Sequence, residues 1–264
     1  MARGVHLVAG TAGVAPVRRL AAAGPAPWLR VHTYGETAKM DAAAFPPGAW
    51  VFTDLDRLDD DAAFTAMQFH DRLGARGDIV CVNHPTRTLR RFELLRLLRN
   101  MGRNVVDVFR VEDRRAPSRW PVAVRTESDP LRERPRLLRS AAELDAELDR
   151  LEGLDAYRPD LLVVELPGAE DRLGPATRLL RIGDVILVDA GAAGAPRPSA
   201  AELEAARETL DLARVGFGSV TLCRLGRTLA IVDAGTDAAT VTAPSLQPAI
   251  LAALGRLGPP EAAA

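Results

Sequence analysis

Lysine is almost missing from this chain. Among its 264 residues Lys39 is the only one, and every other strongly basic side chain is arginine. A G-x-x-x-x-G-K phosphate loop is therefore excluded, and so is a lysine Schiff base anywhere but at Lys39. Cysteine is nearly as scarce. Cys81 and Cys223 each lie in an apolar, strand-like run, without the paired spacing of a zinc site or a disulfide framework. They read as small core residues of a reduced, cytoplasmic protein. The net charge of −1 supplies no basic surface for general nucleic-acid or membrane-surface binding. No apolar run approaches the length that spans a bilayer, and "GVHLVAG" is too short and too polar at its ends for the apolar region of a signal peptide. The four histidines (His6, His32, His70 and His84) show no metal-ligand spacing, and no serine sits in a nucleophile-elbow pattern.

What remains is a globular composition with 47% hydrophobic residues. Residues 1–84 alternate short apolar runs ("GVHLVAG", "WLRVHTYG", "GAWVFTDL", "DIVCVNHP") with helical segments, the pattern of a parallel α/β layer. Gly10 and Gly13 follow the first of these strands and read as a turn. The acidic "TDLDRLDDD" lacks the glycine and ligand order of a calcium loop and reads as a helix start. "PTRTLRRFELLRLLRNMG" predicts a helix from Pro85 to Gly102, with Leu89, Phe92, Leu95 and Met101 on one face. "NVVDVFRV" and "WPVAVRTES" read as paired strands. Ser140 with Glu143, and Ser199 with Glu202, have the capping-box spacing. "ATRLLRIGDVILVDAG" and "GFGSVTLCRLGRTLAIVDAG" read as hairpins turning at Gly183-Asp184 and near Gly226. The fold class is α/β (α+β): an N-terminal α/β domain over 1–84, then α+β subdomains over 85–166 and 167–264.

Four stretches together resemble the ATP-grasp superfamily. They are "VNHPTRTLRRFELLRLLRNMGRNVVDVFRV", "PVAVRTESD", "LLVVELPG" and "FGSVTLCRLGRTLAIVDAGTD", and the likeness extends over nearly the whole chain. It implies a nucleotide cleft between the two α+β subdomains. It also implies ATP and Mg2+ as cofactors, and activation of a small-molecule or peptide carboxylate as an acyl phosphate for attack by an amine or similar nucleophile.

Residue by residue, the resemblance sets Arg91 and Arg125 where the superfamily has phosphate-binding lysines. An arginine fork can hold phosphate, though with other geometry. The alternative for Arg91 is an exposed helix arginine. Glu165 and Leu166 fall at the exit of the hinge strand that presents backbone groups to adenine; the alternative is an ordinary buried strand end. Arg181 matches an arginine that contacts the terminal phosphate or the carboxylate. Asp233 and Asp237 are the candidate metal ligands. The departures are as informative: Thr221 stands where the first acid belongs, Gly235 where a ligand asparagine belongs, and "TESDPLRERPRLL" has no glycine where a glycine-rich phosphate flap is expected but carries Arg132, Arg134 and Arg136. Two functions follow, a carboxylate-activating ligase or a degenerate ATP-grasp fold acting as a binding protein.

Overall fold

The computed structural model describes residues 4–23, 26–41, 45–128, 135–153, 160–169, 173–189, 195, 197–238 and 246–257. The segment that carries Arg132 and Arg134 lies outside them. Three sheets organise the chain. The first is parallel, with strands β1 (Gly4–Ala9), β2 (Leu29–Thr33), β3 (Gly48–Phe52) and β4 (Ile79–Val82) in the order β2-β1-β3-β4. Helices α1 (Thr11–Ala23), α2 (Tyr34–Thr37) and α3 (Asp60–Gly74) provide its connections. The predicted α/β layer is this sheet. Asp59 caps α3 by accepting the Ala62 N–H at 2.7 Å, so the acidic run does begin a helix.

The second sheet is antiparallel and departs from the expected pairing. β5 (Asp107–Arg110) and β6 (Val122–Thr126) do not touch as neighbours; β7 (Leu161–Glu165) lies between them. The reason is hydrophobicity. All five residues of β7 are buried, and a strand covered on both faces takes the central place. The third sheet contains both predicted hairpins, β8 (Ala176–Ile182) with β9 (Val185–Asp189) and β10 (Phe217–Leu225) with β11 (Thr228–Gly235), in the order β11-β10-β8-β9. Helices α5 (Ala141–Glu152), α6 (Ala200–Leu212) and α7 (Gln247–Leu254) lie among these strands in the chain. Ser199 and Glu202 form the full capping box of α6. Ser140 caps α5, but the Glu143 carboxylate accepts the N–H of Arg139 at 2.8 Å, one residue before the cap.

Helix α4 (Arg91–Asn100) starts later than Pro85. Backbone donors ahead of it are used elsewhere: the His84 N–H reaches the Thr88 hydroxyl at 3.0 Å and the Leu89 N–H reaches the Ala213 carbonyl at 2.9 Å. Its buried stripe is Arg91, Leu94, Leu95 and Leu98, a clean i, i+3, i+4, i+7 set, while Met101 is exposed. The shift follows from packing, because α4 is wedged between β5 and β11.

The cores cross from sheet to sheet. Leu94, Leu95 and Leu98 pack with Val108 and Val164 of the second sheet and with Val220 and Val232 of the third. Val5, Leu7 and Val51 of the first sheet share a cluster with Leu180, Ile182 and Phe217 of the third. Two buried asparagines pin these seams. Asn83 donates to the carbonyls of Phe52 (2.8 Å) and Phe217 (2.7 Å) and accepts from the N–H groups of Gly216 (2.8 Å) and Phe217 (3.1 Å). Asn104 donates to the Ile231 carbonyl at 2.8 Å. Buried amides whose hydrogen bonds are satisfied across a seam fix the relative placement of what they join.

Candidate functional site

A cluster of buried charges lies where the three sheets meet. Arg91, first residue of α4, is 1% exposed, and its guanidinium has a partner on every nitrogen. Nε donates to Asp233 Oδ1 at 2.5 Å, one terminal nitrogen to Asp237 Oδ2 at 3.0 Å, and the other to the Glu127 carbonyl. Its backbone N–H, one of the orphan donors of a helix start, goes to Asp56 Oδ1 at 2.8 Å. Arg125, on β6, donates to the same Asp233 oxygen at 3.0 Å. Asp233, on β11, thus receives two guanidinium groups from two different elements. Arg57 lies 3.7 Å from Asp237 Oδ1, and Arg110 donates to Glu127 Oε2 at 2.7 Å.

Asp54 and Asp56 bring in the first sheet. Asp54 has φ 56°, a left-handed conformation that aspartate tolerates. Its carboxylate accepts the Gly10 N–H at 3.0 Å and the Ala238 N–H at 2.9 Å, and its own N–H donates to the Thr236 carbonyl at 2.9 Å. The Gly10/Gly13 pair makes room for this: a β-carbon at Gly13 would collide with Asp54 Oδ2. These glycines serve the close approach of a carboxylate.

The electrostatics follow from burial. Asp237 is pushed up to about 6, by desolvation first, with Asp56, Asp233 and Asp54 adding and Arg91 opposing. Burial also raises Asp54 and Glu127. For Arg91 burial acts against the charged form, but Asp233, Asp56 and Asp237 outweigh it and raise its pKa. Arg125 goes the other way: burial lowers it, and the neighbouring Arg91 adds to the lowering.

The structure therefore brings together four of the seven predicted site residues, Arg91, Arg125, Asp233 and Asp237. The other three are elsewhere occupied. Glu165 is fully buried, and its carboxylate accepts from the Ser118 N–H at 2.7 Å and from Arg119 Nε at 3.1 Å, holding the chain that leads into β6. The Leu166 N–H donates to the Pro121 carbonyl at 2.9 Å and its own carbonyl accepts from Ala169 at 3.0 Å, so both backbone groups are in use within the chain. Arg181 donates to the Gly183 carbonyl at 2.9 Å and pairs with Asp211, an anchor for its own hairpin and for α6. Asp54, Asp56 and Glu127 were not legible as site residues. The glycine pair and the acidic run were the available signals, and both have ordinary local readings.

The donor set does not fit Mg2+. This hard cation wants several oxygen ligands around one point, yet the guanidinium of Arg91 already bridges the carboxylates of Asp233 and Asp237. The asparagine expected at position 235 has no space. A β-carbon at Gly235 would stand 2.9 Å from Arg91 Nη2, 2.9 Å from Asp56 Oδ2 and 3.0 Å from Asp237 Oδ2. Arg91 and Gly235 are thus one feature: the small residue lets the guanidinium in.

Two open clefts flank the cluster. One, of about 580 Å³, lies at the ends of β1 and β2, bordered by Gly10, Thr11, Thr33, Tyr34 and Arg57, with Ser128 and Asp160 opposite. Ligands of open parallel sheets bind at such strand ends. The other, of about 450 Å³, is bordered by Thr86, Thr88, Arg90, Glu93, Arg110 and Glu127. Both are of ligand size. No described helix is long and apolar enough to cross a membrane.

No protein-family profile matches this sequence, and no curated protein matches it. Solved structures do match. D-alanine–D-alanine ligase from Bacillus anthracis, complexed with ATP, superposes with a TM-score of 0.60 at 11% identity, over 96% of this chain and 95% of that one. A RimK-domain ATP-grasp protein from Sphaerobacter thermophilus gives 0.59 at 17% identity, over 97% and 99%. The ATP-grasp ligase PsnB, complexed with a phosphomimetic precursor variant, Mg and ADP, gives 0.57 at 16% identity, over 96% and 98%. At such identities the likeness concerns architecture, and the three-sheet arrangement described above is the ATP-grasp fold.

Proposed function

We propose that this protein is a nucleotide-binding ATP-grasp protein that binds its ligand without a catalytic divalent metal and does not turn it over as a ligase. One observation carries this reading: the Arg91 guanidinium is bonded to both acids that would hold Mg2+ and fills the space between them. A fixed internal cation neutralises those carboxylates, and no step of phosphoryl transfer follows from such a site. The ligand enters a flanking cleft, where Arg57 or Arg110 connects it to the cluster. In this reading modules 1–84, 85–166 and 167–264 together form the binding unit, the first contributing Asp54 and Asp56.

A second reading is an ATP-dependent ligase that activates a carboxylate as an acyl phosphate for an amine or similar nucleophile. It is favoured by the convergence of Arg91, Arg125, Asp233 and Asp237 on one point of a fold that serves ligases. Under it, Arg91 and Arg125 would hold the phosphates and Asp233 and Asp237 the metal, which would supply charge neutralisation.

Thermal melting with ATP, with and without Mg2+, separates the two. A ligand at one hundred times its Kd adds about 2.7 kcal/mol to stability. The first reading expects a rise in Tm with ATP that is indifferent to Mg2+. A rise that requires Mg2+ overturns it in favour of the ligase, and no rise in either condition removes nucleotide binding from both.

A further inference from the structure

The cleft of about 450 Å³ lies where α3 of the first module meets the start of α4, and its walls carry charges of both signs. Arg110 is committed: it donates to Glu127 Oε2 at 2.7 Å and lies over the Phe92 ring, 4.5 Å from the centroid. Arg90 and Asp60 border the same cleft, and among the described residues neither charged group has an ion pair, with the other or with anything else. We propose that this cleft binds a free α-amino acid with an apolar side chain, its carboxylate on Arg90 and its ammonium on the carboxylates of Asp60 and Glu127.

Opposite charges in one cleft that do not pair stand too far apart to touch. A zwitterion closes that gap, because a charge-assisted hydrogen bond of about 2.8 Å at each end adds to its own length. Glu127 lines the same cleft and is 4% exposed, and its Oε1 is buried without a hydrogen-bond partner, an unmet acceptor of a kind that native structures seldom leave. The ligand's side chain has an apolar wall to lie on. Phe64, 54% exposed, is the most exposed large hydrophobic side chain among the described residues, and Ala63 and Pro85 line the cleft with it. An open aromatic face beside unpaired charges suits a small molecule with an apolar body and a charged head.

The lining also decides what stays out. Asp60, Glu93 and Glu127 repel the phosphates of a nucleotide, which leaves those to the cleft at the ends of β1 and β2. The amino-acid site therefore needs neither ATP nor metal. The backbone holds its groups in place. Glu93 accepts the Arg90 N–H at 3.0 Å, and the Glu127 N–H donates to the Asp160 carbonyl at 2.7 Å. Glu127 also joins this cleft to the charge cluster, since its carbonyl accepts from Arg91 while its carboxylate serves the ligand.

The test is titration calorimetry on the full chain, without nucleotide, using L-phenylalanine, phenethylamine (the ammonium alone) and hydrocinnamate (the carboxylate alone). L-phenylalanine is expected to bind one to one with a Kd below about 1 mM, and each single-charge analogue about tenfold more weakly or worse, for the loss of one charge-assisted bond. Arg90→Gln is expected to weaken L-phenylalanine about tenfold without weakening phenethylamine, and Asp60→Asn to weaken both without weakening hydrocinnamate. The affinity for L-phenylalanine is expected to be the same with ATP present. Absence of saturable L-phenylalanine binding to the wild-type chain overturns the proposal. So do equal affinities for the three probes, wild-type affinity in both variants, or displacement by ATP. A chain that takes L-phenylalanine but no ATP supports this site and removes only the nucleotide reading. Should a variant fail to fold, the three probes on the wild-type chain decide.

Discussion

Replacing Arg91 with methionine removes a buried cation and keeps most of its volume. The change strands Asp233 and Asp237 with their bonds to Arg91 broken, deprives the Glu127 carbonyl of a donor, and leaves Arg125 as the cation bonded to Asp233. Breaking one side of a buried ion pair costs about 3–5 kcal/mol, because the remaining charge sits uncompensated in a poor dielectric. For a chain of this size each kcal/mol lowers Tm by roughly 2–3 °C, so the expected drop is about 6–15 °C. The loss depends on pH. Without Arg91 the stranded acids take up protons more readily, and the gap between variant and wild type narrows as pH falls from 7 toward 5. Melting followed by circular dichroism at both pH values measures this, alongside an Arg91→Met/Asp233→Leu double variant. Coupling between the two positions is expected to make the double variant more stable than the sum of its parts by at least 1 kcal/mol, on the scale of directly contacting charges. A single variant within 2 °C of wild type at pH 7, or strictly additive effects, would falsify the view of this cluster as a buried, mutually neutralising network.

Three other outcomes are expected. Gly235→Asn, which restores the residue expected of a metal-binding relative, lowers Tm and confers no Mg2+-dependent ATP binding, since its side chain collides with Arg91, Asp56 and Asp237; a gain of Mg2+-dependent binding in a thermal-shift titration contradicts the steric reasoning. Asp237 goes from 3.8 to about 6 on folding, so the folded state holds the extra proton in that window and stability falls as pH rises from about 4 to 6. The contribution is about 2–3 kcal/mol, and a urea-denaturation pH series on Asp237→Asn should lack that fall; an unchanged profile counts against the raised value. His6 behaves oppositely. Burial, then His32 and Arg30, lowers it to about 4, so stability rises as pH climbs from about 4 to 6.5. His6→Phe keeps the stack on Trp50, removes a buried Nε2 with no hydrogen-bond partner, and flattens that limb by about 1–2 kcal/mol after allowance for screening; persistence of the slope assigns it to another histidine.

Local structure was largely legible. Strands with short apolar runs, the two hairpins with Gly183 and Gly226 at positive φ, and the caps at Ser140 and Ser199 are decided by neighbours along the chain, because turn dihedrals and capping bonds span only a few residues. The hydrophobic ordering of the sheets was partly legible: the four apolar positions of β7 suggested burial, but its place between β5 and β6 depended on which partners could cover both its faces.

The site itself divides along the same line. The sequence alone excluded a G-x-x-x-x-G-K phosphate loop, and the ATP-grasp resemblance singled out seven residues, of which Arg91, Arg125, Asp233 and Asp237 meet at one point. The sequence carried no sign that Asp54 and Asp56 reach the same point from some 180 residues away, or that Gly235 is small because a guanidinium passes it. The physical reason is range. Helix caps and turns are settled by bonds between near neighbours in sequence, whereas the partner of a buried charge is whichever group the packed sheets carry to within about 3 Å, and only the assembled core chooses it.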